Sequence, residues 1–347
     1  RPNTAEAVWT DCFAQAIAEL HKAGGGVLTV PTGEYSTGPI ELCSNMELHL
    51  EPGAVIRFLN DPAAFPLQEC QYEGRISHQP KPCLSAFNAE NVALTGSGVL
   101  DGCGAPWWAA QRARTLANGR PYLLHFENVT HLRVCGVQLR NSPAWTVHPL
   151  NCVDVLIEDV SICNPYNSPN TDGINPESCR DVRILNCRVD VGDDCITLKS
   201  GTEETPSPVP CENIVIANCL LVHGHGGIVI GSEMSGGVRN VTVTNCVFTG
   251  TDRGLRVKTR RRRGGCVENL RLSNLVMERV FCPFVFNMYY SCGTAEKDRW
   301  VWEKTPYPVD GGTPAFRNVR INGVTVVGAT ASAGFFYGLA ESPTDGL

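Results

Sequence analysis

Three aspartates and one histidine stand at related positions in the middle of the chain. Asp172, Asp193, Asp194 and His225 each lie two or three residues before the first apolar residue of a strand-like segment. Two carboxylates about 5 Å apart repel each other by roughly 3 kcal/mol at an effective dielectric constant of about 20, so such a cluster is expected to retain a proton. Glycoside hydrolysis needs this pairing, because one carboxylic acid protonates the leaving oxygen while a second carboxylate activates water or attacks carbon. A structural acid cluster and a Ca²⁺ site are the alternatives for these residues alone.

The elements that position these residues are copies of one repeat. A polar residue, most often Asn or Asp, begins each copy and is followed by alternating apolar residues, which is typical of a short β-strand. The copies begin at Asn91, His131, Asp154, Asp181, Asn213, Asn240, Asn269 and Asn318. Between Leu132 and Leu270 the step from copy to copy is about 23 to 32 residues, which suits the stacked coils of a solenoid.

Aligning the copies produces two columns of side chains. Asp159, Asn186, Asn218, Asn245 and Asn274 form the first column, and Val160, Cys187, Cys219, Cys246 and Leu275 form the second. Asn tolerates the left-handed backbone region and its amide can bond to the copy above, so the first column predicts a tight bend. Cysteine alternates with Val and Leu in the second column, which predicts buried hydrophobic thiols rather than metal ligands.

A second strand of the repeat carries the acids and is also predicted to stack. Its first apolar residues are Ile174, Ile196, Ile228 and Leu255. Stacked strands lie about 4.8 Å apart, so Asp172 and Asp194 should be neighbours in one column, with Asp193 beside them and His225 one coil along. The sequence therefore predicts that three carboxylates and an imidazole share one patch.

The repeat predicts an all-β fold, a parallel β-helix, which needs only short strands, Asn or Gly bends and apolar columns. Leucine-rich horseshoes and propellers fit less well, since the chain lacks a regular leucine consensus and four-stranded units. The segment Thr4 to Lys22 is predicted to be an amphipathic helix that caps the first coil. No linker or charge shift divides the sequence, so residues 1–347 are predicted to form a single domain.

Composition argues against two classes of partner. The net charge of −6 disfavours nucleic acid, which needs a broad basic surface, and no apolar run is long enough to span a membrane. Seventeen cysteines without close paired spacing predict reduced thiols, and hence a cytoplasmic protein, or a secreted or periplasmic one if a signal peptide has been removed. The basic run from Arg260 to Arg263 is either a solvated loop or part of a surface that binds a polyanion.

Four short motifs resemble those of a known family. Asn170-Thr171-Asp172-Gly173, Gly192-Asp193-Asp194-Cys195, Gly224-His225-Gly226 and Arg256-Val257-Lys258 match, in order and approximate spacing, the signature motifs of glycoside hydrolase family 28, the polygalacturonases. The similarity extends loosely from about Gly24 to Asn322. The resemblance implies a single-stranded right-handed parallel β-helix that hydrolyses α-1,4-galacturonosidic bonds in pectic saccharides, with inversion of configuration and without a metal or other cofactor.

The resemblance also implies roles for individual residues. Asp193 would be the general acid, Asp172 and Asp194 would hold and activate the water, and His225 would tune the acid through a hydrogen bond. The substrate-binding candidates are Asn170, Arg256, Lys258, Arg263, Tyr289 and Tyr290. A guanidinium can bind a uronate with two hydrogen bonds and an ammonium adds a point charge, which suits the basic members of this set. For the two tyrosines, an ordinary buried aromatic pair is the alternative.

An exo-acting enzyme is favoured over an endo-acting one. The segments Gly226 to Gly237 and Arg263 to Gly265 resemble bacterial exo-acting members of the family. Three insertions are long enough to close one end of a groove, namely Gln68 to Pro82, Pro106 to Pro121 and Thr202 to Pro210. A Ca²⁺-dependent pectate lyase on a similar coil and a non-catalytic carbohydrate-binding solenoid are the alternatives for the function.

Overall fold

The computed structural model describes residues 8–72, 75–291, 298–344 and 346. Its dominant elements are short β-strands, nearly all of which pair in parallel with a strand of the preceding and following coil. The crossovers between parallel strands are right-handed, and the molecule is the predicted all-β, right-handed parallel β-helix. The ladder of paired strands continues from the first coil to the last, while the extent of the domain over residues 1–347 stays a prediction.

Three stacked columns of strands form the walls of the coil. The first wall contains β1 (Gly26–Val30), β4 (Met46–Leu50), β9 (Glu90–Gly96), β12 (Thr130–Cys135), β15 (Val153–Glu158), β17 (Arg180–Leu185), β20 (Cys211–Ala217), β23 (Val238–Thr244), β26 (Cys266–Glu278) and β28 (Ala315–Val327). The second wall contains β2 (Gly33–Thr37), β5 (Ala54–Phe58), β10 (Val99–Asp101), β13 (Gln138–Arg140), β16 (Ser161–Cys163), β18 (Arg188–Val191) and β21 (Leu220–His223), followed by β24 (Val247–Thr249), which pairs with the second half of β26. The third wall contains β3 (Ile40–Glu41), β8 (Leu84–Phe87), β11 (Leu124–Glu127), β14 (Val147–Leu150), β19 (Ile196–Leu198), β22 (Ile228–Ile230), β25 (Arg253–Lys258), β27 (Cys282–Asn287) and β29 (Phe335–Tyr337), and Ile174 bridges β14 to β19.

The remaining elements cap the coil or project from it. Helix α1 (Thr10–Lys22) lies against the first coil and buries Phe13 and Ile17, so the predicted cap is present from Thr10, whereas residues 4–7 lie outside the described residues. The insertions between coils contain a 3₁₀ turn (Pro62–Ala64), the antiparallel hairpin of β6 (Leu67–Tyr72) and β7 (Arg75–Pro80), and the helices α2 (Ala105–Ala113) and α3 (Arg299–Trp302). Within the described ranges, every helix is too short or too polar to cross a membrane.

Asparagines make the bends between the first and second walls, as predicted. Asn186, Asn218, Asn245 and Asn274 have φ angles of 57°, 59°, 55° and 54°, in the left-handed region that Asn tolerates. The side-chain amide of Asn218 donates to Oδ1 of Asn186 at 3.0 Å, and that of Asn274 donates to Oδ1 of Asn245 at 2.7 Å. Each bend is therefore hydrogen-bonded to the same bend of the neighbouring coil, which fixes the register of the strands that follow.

The column of residues after these bends points into the core. Val160, Cys187, Cys219, Cys246 and Leu275 are each at most 2% exposed, so the thiols pack as small hydrophobic groups, as predicted. Every cysteine in the described part of the chain carries a free thiol. Cys292 lies outside the described residues. The cytoplasmic location inferred from the thiol content stays a prediction.

Candidate active site

The third wall brings the predicted acids together on its outer surface. Ile174, Ile196, Ile228 and Leu255 are paired in successive coils, and their buried side chains fill the core. The residues that precede these four buried anchor residues lie on the outer surface of the wall. Oxygen atoms of Asp172, Asp193 and Asp194 lie within 4.8 Å of one another, as the shared frame predicted.

His225 reaches Asp193 because Gly224 permits a close approach of the two coils. Gly224 has a φ of 76°, and a Cβ at this position would lie 2.3 Å from the carbonyl oxygen of Asp193. The backbone nitrogen of His225 donates to that carbonyl at 3.1 Å, and its Nδ1 lies 3.0 Å from Oδ1 of Asp193. The His225 side chain is 54% exposed and that of Asp193 is 18% exposed, so this pair forms the solvent-facing edge of the cluster.

Asp194 is buried and paired with two cations. Its side chain is 1% exposed, with Nζ of Lys258 2.7 Å from Oδ2 and Nη1 of Arg256 3.4 Å from Oδ1. Burial opposes ionisation, but the Lys258 ammonium and the Arg256 guanidinium nevertheless hold the pKa of Asp194 below its ordinary value. The two cations therefore favour the ionised carboxylate of Asp194.

Asp172 is the member of the cluster that keeps a proton most easily. Burial and the negative charge of Asp193 raise the pKa of Asp172 well above its ordinary value. The amide of Asn175 donates to its Oδ2 at 3.1 Å, and Asp172 forms no ion pair within the ranges that the structure describes. A shared proton was expected from the crowding of the acids, and the raised pKa of Asp172 favours that proton on this carboxyl group.

Asp193 accepts hydrogen bonds from the backbone and from His225. The backbone N–H of Asp194 donates to Oδ1 of Asp193 at 2.9 Å, and His225 donates to the same oxygen. The hydrogen bond to Asp193 raises the pKa of His225 above its ordinary value, although partial burial opposes this shift. His225 thus contacts Asp193 through a hydrogen bond, which is the contact that the sequence motifs suggested.

A cavity of about 260 Å³ surrounds the acids. The predicted residues in its lining are Asn170, Asp172, Asp193, Asp194, His225, Arg256, Lys258 and Tyr290. Trp145, Lys199, Ser232 and Glu233 complete the lining and were not among the predicted residues. The Tyr290 ring lies 5.5 Å from both the Arg256 guanidinium and the Lys258 ammonium, so an aromatic face and two cations border the acids.

Tyr289 and Arg263 lie away from this cavity. Tyr289 is 5% exposed and packs against Tyr337 at 4.6 Å between ring centroids, with the Lys304 ammonium 3.9 Å from its ring. It therefore matches the alternative of a buried aromatic, whereas its neighbour Tyr290 is placed to contact a ligand.

Three of the four arginines of the basic run are buried structural side chains, which corrects the interpretation of Arg263 as a substrate contact, and the exposed Arg262 lies 4.2 Å from the centroid of the Trp300 ring. Arg260 and Arg263 are at most 4% exposed, and both form ion pairs with Glu203, at 2.6 and 2.8 Å. The Arg261 guanidinium donates two hydrogen bonds to the Glu341 carboxylate, one from Nη2 to Oε2 at 2.9 Å. It also donates to the carbonyl oxygens of Trp300 and Glu303. Guanidinium groups that are paired and buried in this way do not extend a grip along a substrate.

Known proteins share this sequence and architecture. The sequence profile of glycosyl hydrolases family 28 matches residues 28–299. A protein of Vitis vinifera named probable polygalacturonase is 34% identical over 287 residues, which cover 79% of this chain and 58% of that protein. An endo-polygalacturonase of Pectobacterium carotovorum subsp. carotovorum is 30% identical over 272 residues, covering 74% of this chain and 65% of that protein. The crystal structure of a hyperthermoactive exopolygalacturonase from Thermotoga maritima superposes with a TM-score of 0.80 at 34% identity, over 93% of this chain and 78% of that one.

The matches cover most of this chain but only part of its curated relatives. The chain spans 58% and 65% of the length of the two curated relatives, so it corresponds to part of their sequences. The matched range of the profile covers most of the chain and contains the whole acid cluster. The chain therefore belongs to glycosyl hydrolases family 28.

Proposed function

We propose that this chain is a polygalacturonase that hydrolyses α-1,4-galacturonosidic bonds in pectic saccharides. The observation that carries the proposal is the acid cluster, whose three carboxylates lie within 4.8 Å of one another in a cavity that Arg256 and Lys258 also line. The carboxylates suit acid–base cleavage of a glycosidic bond, and the two cations suit the carboxylate of a uronate. Family membership and relatives named polygalacturonase support the same function.

Asp193 is the general acid in this proposal. Its side chain is 18% exposed and that of Asp194 is 1% exposed, so a glycosidic oxygen entering the cavity meets Asp193 first. Asp193 must carry a proton before the bond breaks, and Asp172, whose pKa is raised, is the neighbouring group that can supply it. Their oxygens lie within 4.8 Å, a span that one water can bridge with two hydrogen bonds of about 2.8 Å.

Asp172 and Asp194 hold the attacking water, and the configuration inverts. The acids are closer together than the roughly 6.5–9.5 Å that is usual for inverting glycosidases, and this spacing alone would favour retention. Retention requires a carboxylate to bond to the sugar carbon. Asp172 and Asp194 are 4% and 1% exposed and are held by Asn175 and Lys258, so they are better placed to orient water than to attack carbon.

Hydrolysis without a metal ion is proposed because ammonium groups already occupy the site. Three carboxylates could form part of a Ca²⁺ site. The Lys258 ammonium is 2.7 Å from Asp194, however, and Lys199 lines the same cavity. Their positive charges repel a divalent cation.

The function is tested by incubating the protein with defined galacturonate oligomers and following the products by proton NMR. We expect saturated galacturonate, released first as the β-anomer, at the same rate with and without a chelator. An unsaturated, ultraviolet-absorbing product and inhibition by the chelator would identify a lyase instead. Initial release of the α-anomer would overturn inversion alone, and a folded protein without turnover would favour a carbohydrate-binding solenoid.

Exo action is proposed because two insertions pack directly behind the cavity. From the hairpin β6–β7, Cys70 packs with Trp145, and the Gln71 amide donates to Oε1 of Glu177 at 2.7 Å. From the second insertion, Arg120 donates to Oδ1 of Asn170 at 2.6 Å. Trp145 and Asn170 line the cavity, so both insertions pack against its wall on the side of the earlier coils. A cavity closed at one side admits the end of a chain and excludes its interior.

Replacing residues 68–79 by a short Gly-Ser turn between Leu67 and Pro80 is expected to open the closed side. The wild type should release single sugars from chain ends and hardly change the viscosity of homogalacturonan. The variant should release internal oligomers and reduce the viscosity several times faster per bond cleaved. Its rate on a trimer and its thermal unfolding provide the controls, and a folded, active variant that still cleaves only at chain ends would show that the hairpin is not the wall.

A further inference from the structure

Lys199 is a buried cation at the back of the cavity with no role in the mechanism described above. Its Nζ lies 2.6 Å from Oε2 of Glu233 and 4.6 Å from the centroid of the Trp145 ring. Ser232 donates to the other oxygen of Glu233, Oε1, at 2.9 Å. The side chains of Lys199 and Glu233 are 5% and 6% exposed, so the pair is fixed in one orientation and largely removed from solvent.

The distribution of charge in the cavity gives Lys199 a specific neighbour. Lys258 and Arg256 pair with Asp194, and His225 pairs with Asp193. Asp172 is the acid of the cluster that these pairs leave out. Burial and Asp193 raise the pKa of Asp172, and among the neighbouring cations Lys199 opposes this rise most strongly.

Glu233 determines how Lys199 acts on Asp172. An ammonium that contacted Asp172 directly would occupy the oxygen atoms that a water molecule needs. The 2.6 Å contact with Glu233, which belongs to the following coil, holds the ammonium away from Asp172 while leaving it in the same cavity. The charge of Lys199 then acts through space, and among the described residues the Asp172 oxygens accept a side-chain hydrogen bond only from Asn175.

We propose that Lys199 is a positioning residue, anchored by Glu233 beside Asp172 so that its ammonium favours the ionised carboxylate while leaving the carboxylate oxygens free to hold water. The inference rests on the proposed hydrolase function, in which Asp172 helps to activate the water. It goes beyond that function because it makes a buried ion pair in the cavity lining responsible for the pH at which the water becomes reactive.

The test measures kcat and KM against pH on galacturonate oligomers. In Lys199→Met/Glu233→Gln both charges are absent, so neither partner is left buried and unpaired. The acidic limb of kcat is expected to move to higher pH by about one unit, which is a tenfold loss of rate on that limb, with KM nearly unchanged. Lys199→Arg keeps the charge and should keep the limb. Glu233→Gln frees the ammonium to approach Asp172 and should move the limb to lower pH.

A matched control comes from a second buried ion pair, Arg261 and Glu341, whose side chains are 6% and 3% exposed outside the cavity. Glu341→Gln is expected to lower the melting temperature without moving the acidic limb. An unmoved limb in the active double variant would overturn the role of Lys199 and leave the hydrolase function standing, whereas a wild type without turnover would overturn the function itself. If the double variant does not fold, Glu233→Gln decides, because an unmoved limb in that variant also contradicts the proposal.

Discussion

Asp193→Asn is expected to lower kcat on galacturonate oligomers by about a thousandfold while the protein keeps its fold. An amide cannot donate the proton that the leaving oxygen needs, and general acid catalysis contributes roughly 10²–10⁴ to the rate. In the wild type, the backbone nitrogen of Asp194 and Nδ1 of His225 lie 2.9 and 3.0 Å from Oδ1 of Asp193. The side-chain oxygen of Asn can accept both of these hydrogen bonds. The loss should therefore appear in initial rates, with an unchanged circular dichroism spectrum and melting temperature.

Asp190→Asn is the matched control for this substitution. Asp190 pairs with His223 at 2.8 Å, and the two side chains are 20% and 54% exposed, nearly the values of the Asp193–His225 pair. Asp190 and His223 lie outside the cavity lining, so we expect rates within about twofold of the wild type. If Asp193→Asn kept its rate within tenfold, the general acid would have to be another group, and Asp172 would be the first to test.

Lys258→Met is expected to reduce both stability and activity. It removes the 2.7 Å partner of Asp194, a carboxylate that is 1% exposed, and breaking a buried pair in this way costs about 3 kcal/mol or more of unfolding free energy. We also expect kcat/KM to fall by about a hundredfold, equivalent to roughly 3 kcal/mol, because the water-holding carboxylate loses its fixed charge and the substrate loses a cation. Denaturant unfolding and steady-state kinetics measure the two effects.

The pH dependence of this stability loss has a definite sign. The folded pKa of Asp194 lies below the ordinary value of 3.8, so its ion pair stabilises the protein above that pH and is lost as the pH falls through the folded pKa. The difference between wild type and Lys258→Met should therefore be largest near neutral pH and shrink in acid. Lys304→Met is the control, since Lys304 lies 3.9 Å from the Tyr289 and Tyr337 rings outside the cavity and should change stability by about 1 kcal/mol at most, with KM unaffected. Equal stability of Lys258→Met and the wild type at neutral pH would contradict the assignment.

The positions of the acids could be predicted because register in a β-helix follows from counting residues. Each acid stands a fixed number of residues before a buried anchor residue of its strand. Anchors such as Ile196 and Leu255 are stacked in successive coils, so residues at the same distance from their anchors become neighbours in space. The same counting contains a signal for Lys199, which stands three residues after Ile196, as Lys258 stands three residues after Leu255. The family motifs do not include Lys199, and only the offset points to it.

Side chains supplied by loops could not be predicted in this way. Glu233 follows Gly231, whose φ of 90° takes the chain out of the strand, so an offset from the anchor no longer gives a position in space. Arg260 and Arg263 find Glu203 at sequence separations of 57 and 60 residues. A run of arginines without a nearby acid predicts an exposed surface, and only the path of the intervening coils reveals that Arg260, Arg261 and Arg263 are paired with acids and buried.

The ladder of hydrogen-bonded side chains along the bends affects how the sequence of a β-helix can change by mutation. Asn213 bonds to Asp181 across 32 residues at 2.9 Å, and Asn240 bonds to Asn213 across 27 residues at 3.0 Å. Coils of unequal length thus meet in the same alignment at one edge, and the additional residues are accommodated elsewhere. Mutation can lengthen or replace the insertions behind the cavity, and with them the proposed preference for polymer ends, while the acid cluster stays in place.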